Sequence, residues 1–300
     1  MRRLPEGHSL AKVSLAMADD ATEPFMRHLR GCQNAVLPGN RLPFRIGRDA
    51  VGWLQPRIVA PLLQVAGLDA DADGGVTLPA ARAAELPAIA EALGRDGHYH
   101  LRREAFDVRA GDETPPISTI DRGAVPSFGI TSRGVHCNGL VRKPGGLHLW
   151  VARRAADKLL DPGKLDHIVA GGISAGMDAE DTLIKEAGEE AAVPLALASR
   201  ARHVARVRYA MERAEGLRRD LLYCYDLDLP EDFTPRPSDG EVEAFELWPI
   251  RRAVEAVRDG DSFKFNVNLV LIDLFLREGL IDPPQGAAAL RRALDRNVSD

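Results

Sequence analysis

Residues Gly171–Val193, GGISAGMDAEDTLIKEAGEEAAV, decide how the chain is read. Three glycines, Gly171, Gly172 and Gly176, make a flexible loop that leads to Asp178. Asp178 can cap a helix whose first turn carries Glu180 and Asp181, where acids meet the positive end of the helix dipole. Farther on come Glu186, Glu189 and Glu190. Their i, i+3, i+4 spacing puts three carboxylates on one helix face. That placement is unfavourable by default, because acids near a helix C-terminus meet its negative end at a cost of ~0.3–1 kcal/mol each. A divalent cation removes the mutual repulsion and keeps the groups ionised. Magnesium suits an all-oxygen set and retains waters that a phosphate can replace. Gly188 costs roughly 1 kcal/mol inside a helix, which a close backbone approach to the preceding loop would explain. The bland alternative for the triplet is a solvated acidic face.

Outward from this segment the texture is of short strands and turns. Gly134–Val141 and Leu147–Arg153 read as strands around the turn Pro144-Gly145-Gly146, and Asp161-Pro162-Gly163 as another turn. Val204–Tyr209, Leu221–Leu227 and Val242–Leu247 are further strands. Ile250–Val257 and Phe265–Glu278 are helical. This alternation predicts an α/β sandwich around a mixed sheet. Upstream, a helical piece at Pro24–Arg30, an extended Val51–Leu54, helices near Ile58–Ala66 and Ala80–Leu93, and a strand at Leu101–Val108 form a smaller α+β region. The division expected is residues 1–22 as an extension, 23–124 as the N-terminal domain, 125–284 as the principal domain and 285–300 as a loose tail. Met17 and Met26 are alternative starts.

The 300 residues allow two cores. Lys plus Arg number 39 against 44 acids, a net charge of −5, so no broad cationic footprint for nucleic acid or an anionic membrane exists. The longest apolar run, Val267–Leu276, falls short of the ~20 residues that span a bilayer. Lys12 and Ser14 interrupt the N-terminal apolar run, so no secretory signal is read. Cys32, Cys137 and Cys224 are odd in number and widely spaced, which points to a reducing compartment, taken as cytoplasmic. His136 and Cys137 are neighbours on one strand and face opposite ways, which argues against a Cys–His catalytic pair.

The Gly171–Val193 segment resembles the Nudix box, G-x5-E-x7-R-E-U-x-E-E-x-G-U, where U is a bulky aliphatic residue. Gly171 falls on the first glycine, Glu186, Glu189 and Glu190 on the three glutamates of the second half, and Val193 on the last U. Met177 stands at the first glutamate, Lys185 at the arginine and Ala192 at the last glycine. A frame shifted by one pairs Gly172 with Asp178 instead. VGWLQP (51–56), FGITSRGVHCNG (128–139), the run from Leu147 to Gly172, GLRRDLLYCYDLDLPEDFTP (216–235) and SDGEVEAFELWPI (238–250) resemble the Nudix branch related to, or fused with, thiamine pyrophosphokinase. That resemblance covers roughly Phe25 to Pro283.

It implies a Nudix α/β/α sandwich and a small-molecule diphosphate as substrate: thiamine diphosphate, its oxo and oxy forms preferred, cut to monophosphate and phosphate. Mg2+ or Mn2+ is the implied cofactor, held by Glu186, Glu190 and Glu189 with the carbonyl of Ala170. Lys185 takes the orienting role of the family arginine, and Asp178 stands in for the carboxylate missing at Met177. Arg153, Arg154 and Lys158 are candidates for gripping the diphosphate, against the alternative of a surface basic cluster. Glu241 is a candidate further metal ligand or general base, with Glu243 as alternate. Trp53, Trp150 and Phe128 are equal candidates for an aromatic wall. The N-terminal domain has two roles open, closing over the site or building a homodimer. Another nucleoside-diphosphate-type substrate, an isopentenyl diphosphate isomerase and a non-catalytic binding module are the competing readings. The isomerase needs a cysteine where this chain has IVAGG.

Overall fold

The computed structural model describes residues 22–238, 240–282 and 284–295. The expected extension lies, up to residue 21, outside the described residues. Helix α1 spans 22–32. Strands β1 (Leu42–Ile46) and β2 (Asp49–Leu54) form a hairpin, and α2 (Pro56–Ala66) follows with Pro56 in its first turn, where a missing N–H costs nothing. Strand β3 (Val76–Leu78) joins β1 in parallel. The stretch read as one helix at Ala80–Leu93 is a 3-10 turn, Ala80–Glu85, then α3 (Leu86–Arg95). Proline at position 87 explains the break: it cannot donate to the preceding turn and so starts a new helix. Strands β4 (Ala105–Val108) and β5 (Ser118–Asp121) pair antiparallel, and the short α4 (Val125–Phe128) ends the region. One core, including Phe44, Leu54, Ile58, Leu93, Phe106 and Phe128, holds these elements together.

Then come β6 (Thr131–Lys143), β7 (Gly146–Arg154), β8 (Leu165–Asp166), β9 (Val169–Gly172), α5 (Ala179–Ala191), α6 (Leu195–Ala198), β10 (Arg202–Arg213), β11 (Gly216–Asp228), β12 (Val242–Pro249), α7 (Ile250–Asp259), α8 (Val267–Arg277) and α9 (Pro284–Leu294). The sheet order is β10-β11-β6-β7-β12, with β8 on β7 and β9 on β6. β11 and β6 run parallel and the other pairs antiparallel, so the sheet is mixed.

Alternation along the strands feeds two cores. Val135, Cys137 and Val141 of β6 and Trp150 of β7 pack with Leu183, Ala187 and Ala191 of α5. Leu140, Leu149, Val151, Leu222 and Cys224 face the other way, onto α7 and α8. Helix α1 joins that second core through Phe25, Leu29 and Cys32, and α9 through Leu290 and Leu294. Helix α9 is therefore docked where a loose helix was expected, because leucines four apart share one face and Arg291 pairs with buried Asp273 at 2.6 Å. All three cysteines are buried, free thiols. No helix among the described residues is long and apolar enough to cross a membrane.

Candidate active site

Strand β9 ends beside α5, and everything catalytic in prospect hangs on that contact. Asp178 caps α5 by accepting the Asp181 N–H at 2.8 Å, so its carboxylate is committed to the helix end. Met177 packs against the helix-side core. The far end closes on Ala192, whose φ of 51° is left-handed, a conformation that glycine adopts without the clash a Cβ brings. The family pattern has glycine there.

Glu190 is 7% exposed and accepts the Ala170 N–H at 2.9 Å. Glu186 lies across Gly171: a Cβ added at Gly171 would stand 2.6 Å from Glu186 Cγ, so only glycine lets the carboxylate rest on the strand. The close approach expected at Gly188 is absent, since a Cβ there meets nothing within 4 Å. The tight glycine is the one before the helix. Glu189 is half-exposed and bonded to Lys185 Nζ at 2.6 Å, and Lys185 also reaches Glu186 at 3.2 Å. Glu241, at the foot of β12, is ion-paired with Lys158, and its charge acts on both Glu186 and Glu190.

Burial pushes the Glu190 carboxyl well above its ordinary range, and the charges of Asp166, Glu186 and Glu241 add to this against the Ala170 N–H. Glu186 is raised for the same first reason, with Lys185 opposing. Buried acids that cannot share one another's field are what a divalent cation stabilises. Glu186 and Glu190, set beside Gly171 and Ala170, offer the oxygen donors that a magnesium-type ion takes, but no three of Glu186, Glu189, Glu190 and Glu241 bring carboxylate oxygens within 4.8 Å of one another.

Arg154 donates to Asp166 at 2.8 Å and to the carbonyls of Leu160 and Asp161, so it is held inside the fold. Arg153 is exposed, near Gly163 and Glu246. Lys158, the third basic candidate, is ion-paired with Glu241. Phe128 and Trp150 are core residues, and Trp53 lies along a separate groove with Arg109 and Arg219.

Sequence reading missed two features. The first is a buried cluster of His136, Asp166 and His167, the one group of three such side chains among the described residues whose ligand atoms lie within 4.8 Å of one another. The histidines meet Nδ1 to Nδ1 at 3.0 Å. Burial lowers both, His167 to about 4. Burial pushes Asp166 up, but the charges of Lys264 and Arg154 outweigh it and hold it well below the carboxylate range. With Arg154 at 2.8 Å and Lys264 at 3.8 Å on the same oxygen, a dication would meet two charges in a poor solvent. The cluster is a charge network around neutral histidines. The second is a cleft beside Ala170–Gly172, lined from both halves of the chain by Phe106, Arg122, Arg218, Lys264 and Asn266 among others. Its residues come from distant positions, so no local motif marks them.

Residues 132–267 match the family model of the NUDIX domain. Nudix hydrolase 20, chloroplastic, of Arabidopsis thaliana is 36% identical over 282 residues, covering 89% of this chain and 75% of that protein. Nudix hydrolase 24, chloroplastic, of the same plant is 36% identical over 254 residues, 82% of this chain and 70% of that protein. Likeness on this scale reaches well beyond the box, into the region before residue 132. With Glu186 and Glu190 set against β9, it makes the chain a member of the Nudix hydrolase family, enzymes that act on pyrophosphate bonds.

Proposed function

We propose that the protein hydrolyses thiamine-type diphosphates to the monophosphate and inorganic phosphate, oxo and oxy forms fastest, with Mg2+ or Mn2+. The observation that carries the hydrolase is the pair Glu186–Gly171 and Glu190–Ala170, one partly buried and one buried carboxylate laid on one strand. The thiamine assignment is supported by the sequence resemblance outside the box.

Glu186 and Glu190 would hold the metal, with the Ala170 carbonyl and Glu189 completing the protein's share. A divalent ion bound there would supply charge to offset the phosphates and to acidify water. Lys185 keeps Glu186 and Glu189 in register. Lys158, ion-paired with Glu241, is the candidate for gripping the diphosphate. Water adds to the terminal phosphorus, the bridging P–O bond breaks, the monophosphate leaves, and a proton passes to a carboxylate. Glu241, in the stretch that resembles the family outside the box, is the candidate acceptor.

Glu186→Gln, Glu189→Gln and Glu190→Gln should each lower turnover at least ~100-fold with the fold intact by circular dichroism. Full activity of Glu190→Gln, or of the wild type in excess EDTA, overturns the site. Substrate is tested by competition among thiamine diphosphate, its oxo and oxy analogues, ADP-ribose and ATP at equal concentration. Prior consumption of ADP-ribose or ATP refutes the thiamine assignment. The packed Met177 favours one second reading, a binding module, which requires Mg2+ to bind and no phosphate to appear.

A further inference from the structure

The cleft beside Gly171 and Gly172 has walls from two units. Phe106 of β4 presses on β9 so closely that a Cβ on Gly172 would stand 2.6 Å from its Cζ. The guanidinium of Arg122, just past β5, lies 5.4 Å from the centroid of that ring and is held by Glu104 at 2.8 Å. Arg122 remains half-exposed, so ring and guanidinium together make a flat, cationic lip. Behind them stand Lys264, Arg218 and Arg133, against one carboxylate, Asp220, which is already bonded to Ser132 and Tyr209. Asn266, 5% exposed, also lines the cleft, and its Oδ1 is buried without a hydrogen-bond partner. Such an atom is costly unless something donates to it.

The hairpin that supplies Phe106 is fixed to the box loop itself. Ala175 donates its N–H to the Ala105 carbonyl at 2.7 Å, Ser174 its hydroxyl to Glu104 at 2.9 Å, and Gly176 its N–H to Asp107 at 3.3 Å. The loop between β9 and α5 thus carries the carboxylate site on one side and the N-terminal region on the other.

We propose that this cleft receives the organic group attached to the diphosphate, and that Phe106 and Arg122 are its specificity-determining residues. The inference rests on reading the Glu186–Glu190 site as a diphosphate hydrolase. The class selected is a planar, neutral or anionic group bearing an N–H for Asn266. A cationic ring is disfavoured by the half-exposed Arg122 guanidinium at the lip, whereas Lys264 and Arg218 behind it are answered by Asp166 and Glu215. The N-terminal region is then part of the active site.

The test is kcat/KM, with Mg2+, for thiamine diphosphate, its neutral 2-oxo analogue, ADP-ribose and isopentenyl diphosphate, in wild type, Arg122→Glu and Phe106→Leu. Arg122→Glu should move the ratio of cationic to neutral ring roughly tenfold towards the cation. Phe106→Leu should lower the ring-bearing substrates about tenfold relative to the ring-less isopentenyl diphosphate. A ratio unchanged within about twofold, or one common factor for every substrate, overturns the proposal and leaves the hairpin a structural role. A wild type that prefers ADP-ribose refutes thiamine while both comparisons still read the cleft. A wild type that releases no phosphate refutes the hydrolase. The cleft is then read by calorimetry with the 2-oxo analogue: loss of binding in Phe106→Leu supports it, and equal binding in both proteins overturns it.

Discussion

Glu190 shows how one residue couples stability to metal. Its carboxyl is buried beside three other acids, and its folded pKa lies above the unfolded value. An acid shifted upward favours the folded state below the unfolded pKa, about 4.3, and that contribution is lost as pH rises through the folded pKa. In EDTA, therefore, Glu190→Gln should melt above wild type at pH 8, and the gap should close as pH falls towards 4. Saturating Mg2+ should raise the wild-type Tm at pH 8 and raise that of Glu190→Gln much less. Scanning calorimetry at the two pH values decides it. A wild type that equals the variant at pH 8 in EDTA would mean the buried charge costs nothing, which would also remove the case for a cation there.

Helix α5 makes two predictions at the scale of an element. Gly188 sits in its interior, exposed and with open space where a Cβ would go, so Gly188→Ala should stabilise by roughly 0.5–1 kcal/mol. Ala192 holds a left-handed cap, so Ala192→Gly should stabilise by about 1 kcal/mol. Urea titration measures both, and a loss of stability in either variant refutes the corresponding reading. Helix α5 was legible because cap, first-turn acids and glutamate spacing are local and agree. Strand β6 was legible for a similar reason, its apolar residues alternating between two cores. Strands β10 and β11 extend past the reading, since Arg213 pairs with Gly216 across a charged turn that resembles loop. The carboxylate site could be read from one continuous segment. The cleft could not, because Phe106, Arg122, Arg218 and Lys264 meet only through the topology, and each alone is an ordinary surface or core residue.

Across the whole molecule the two regions are interlocked. The N-terminal sheet is tied to β10 by Arg41, whose guanidinium grips Glu212 at 2.8 and 2.7 Å, and the 109–113 segment reaches β6 and β10 through Asp112. Chain order is not respected: α1, the first described element, packs on the far face of the sheet with α8, apart from the strands that follow it. A helix held on one face is expected to open more easily than the sheet it covers.

The buried thiols turn that expectation into a clock. Cys32 belongs to α1, Cys224 to the same core but in the sheet, and Cys137 to the opposite core. Burial pushes the Cys32 thiol up to about 12, and raises the other two as well, so a labelling reagent finds almost no thiolate until the surrounding structure parts. Labelling each cysteine under native conditions therefore times the release of one layer of the molecule. If α1 detaches by itself, mass spectrometry will record Cys32 modified first, with Cys137 and Cys224 following together at the rate of global unfolding. Equal rates at all three would instead make helix α1 inseparable from the sheet.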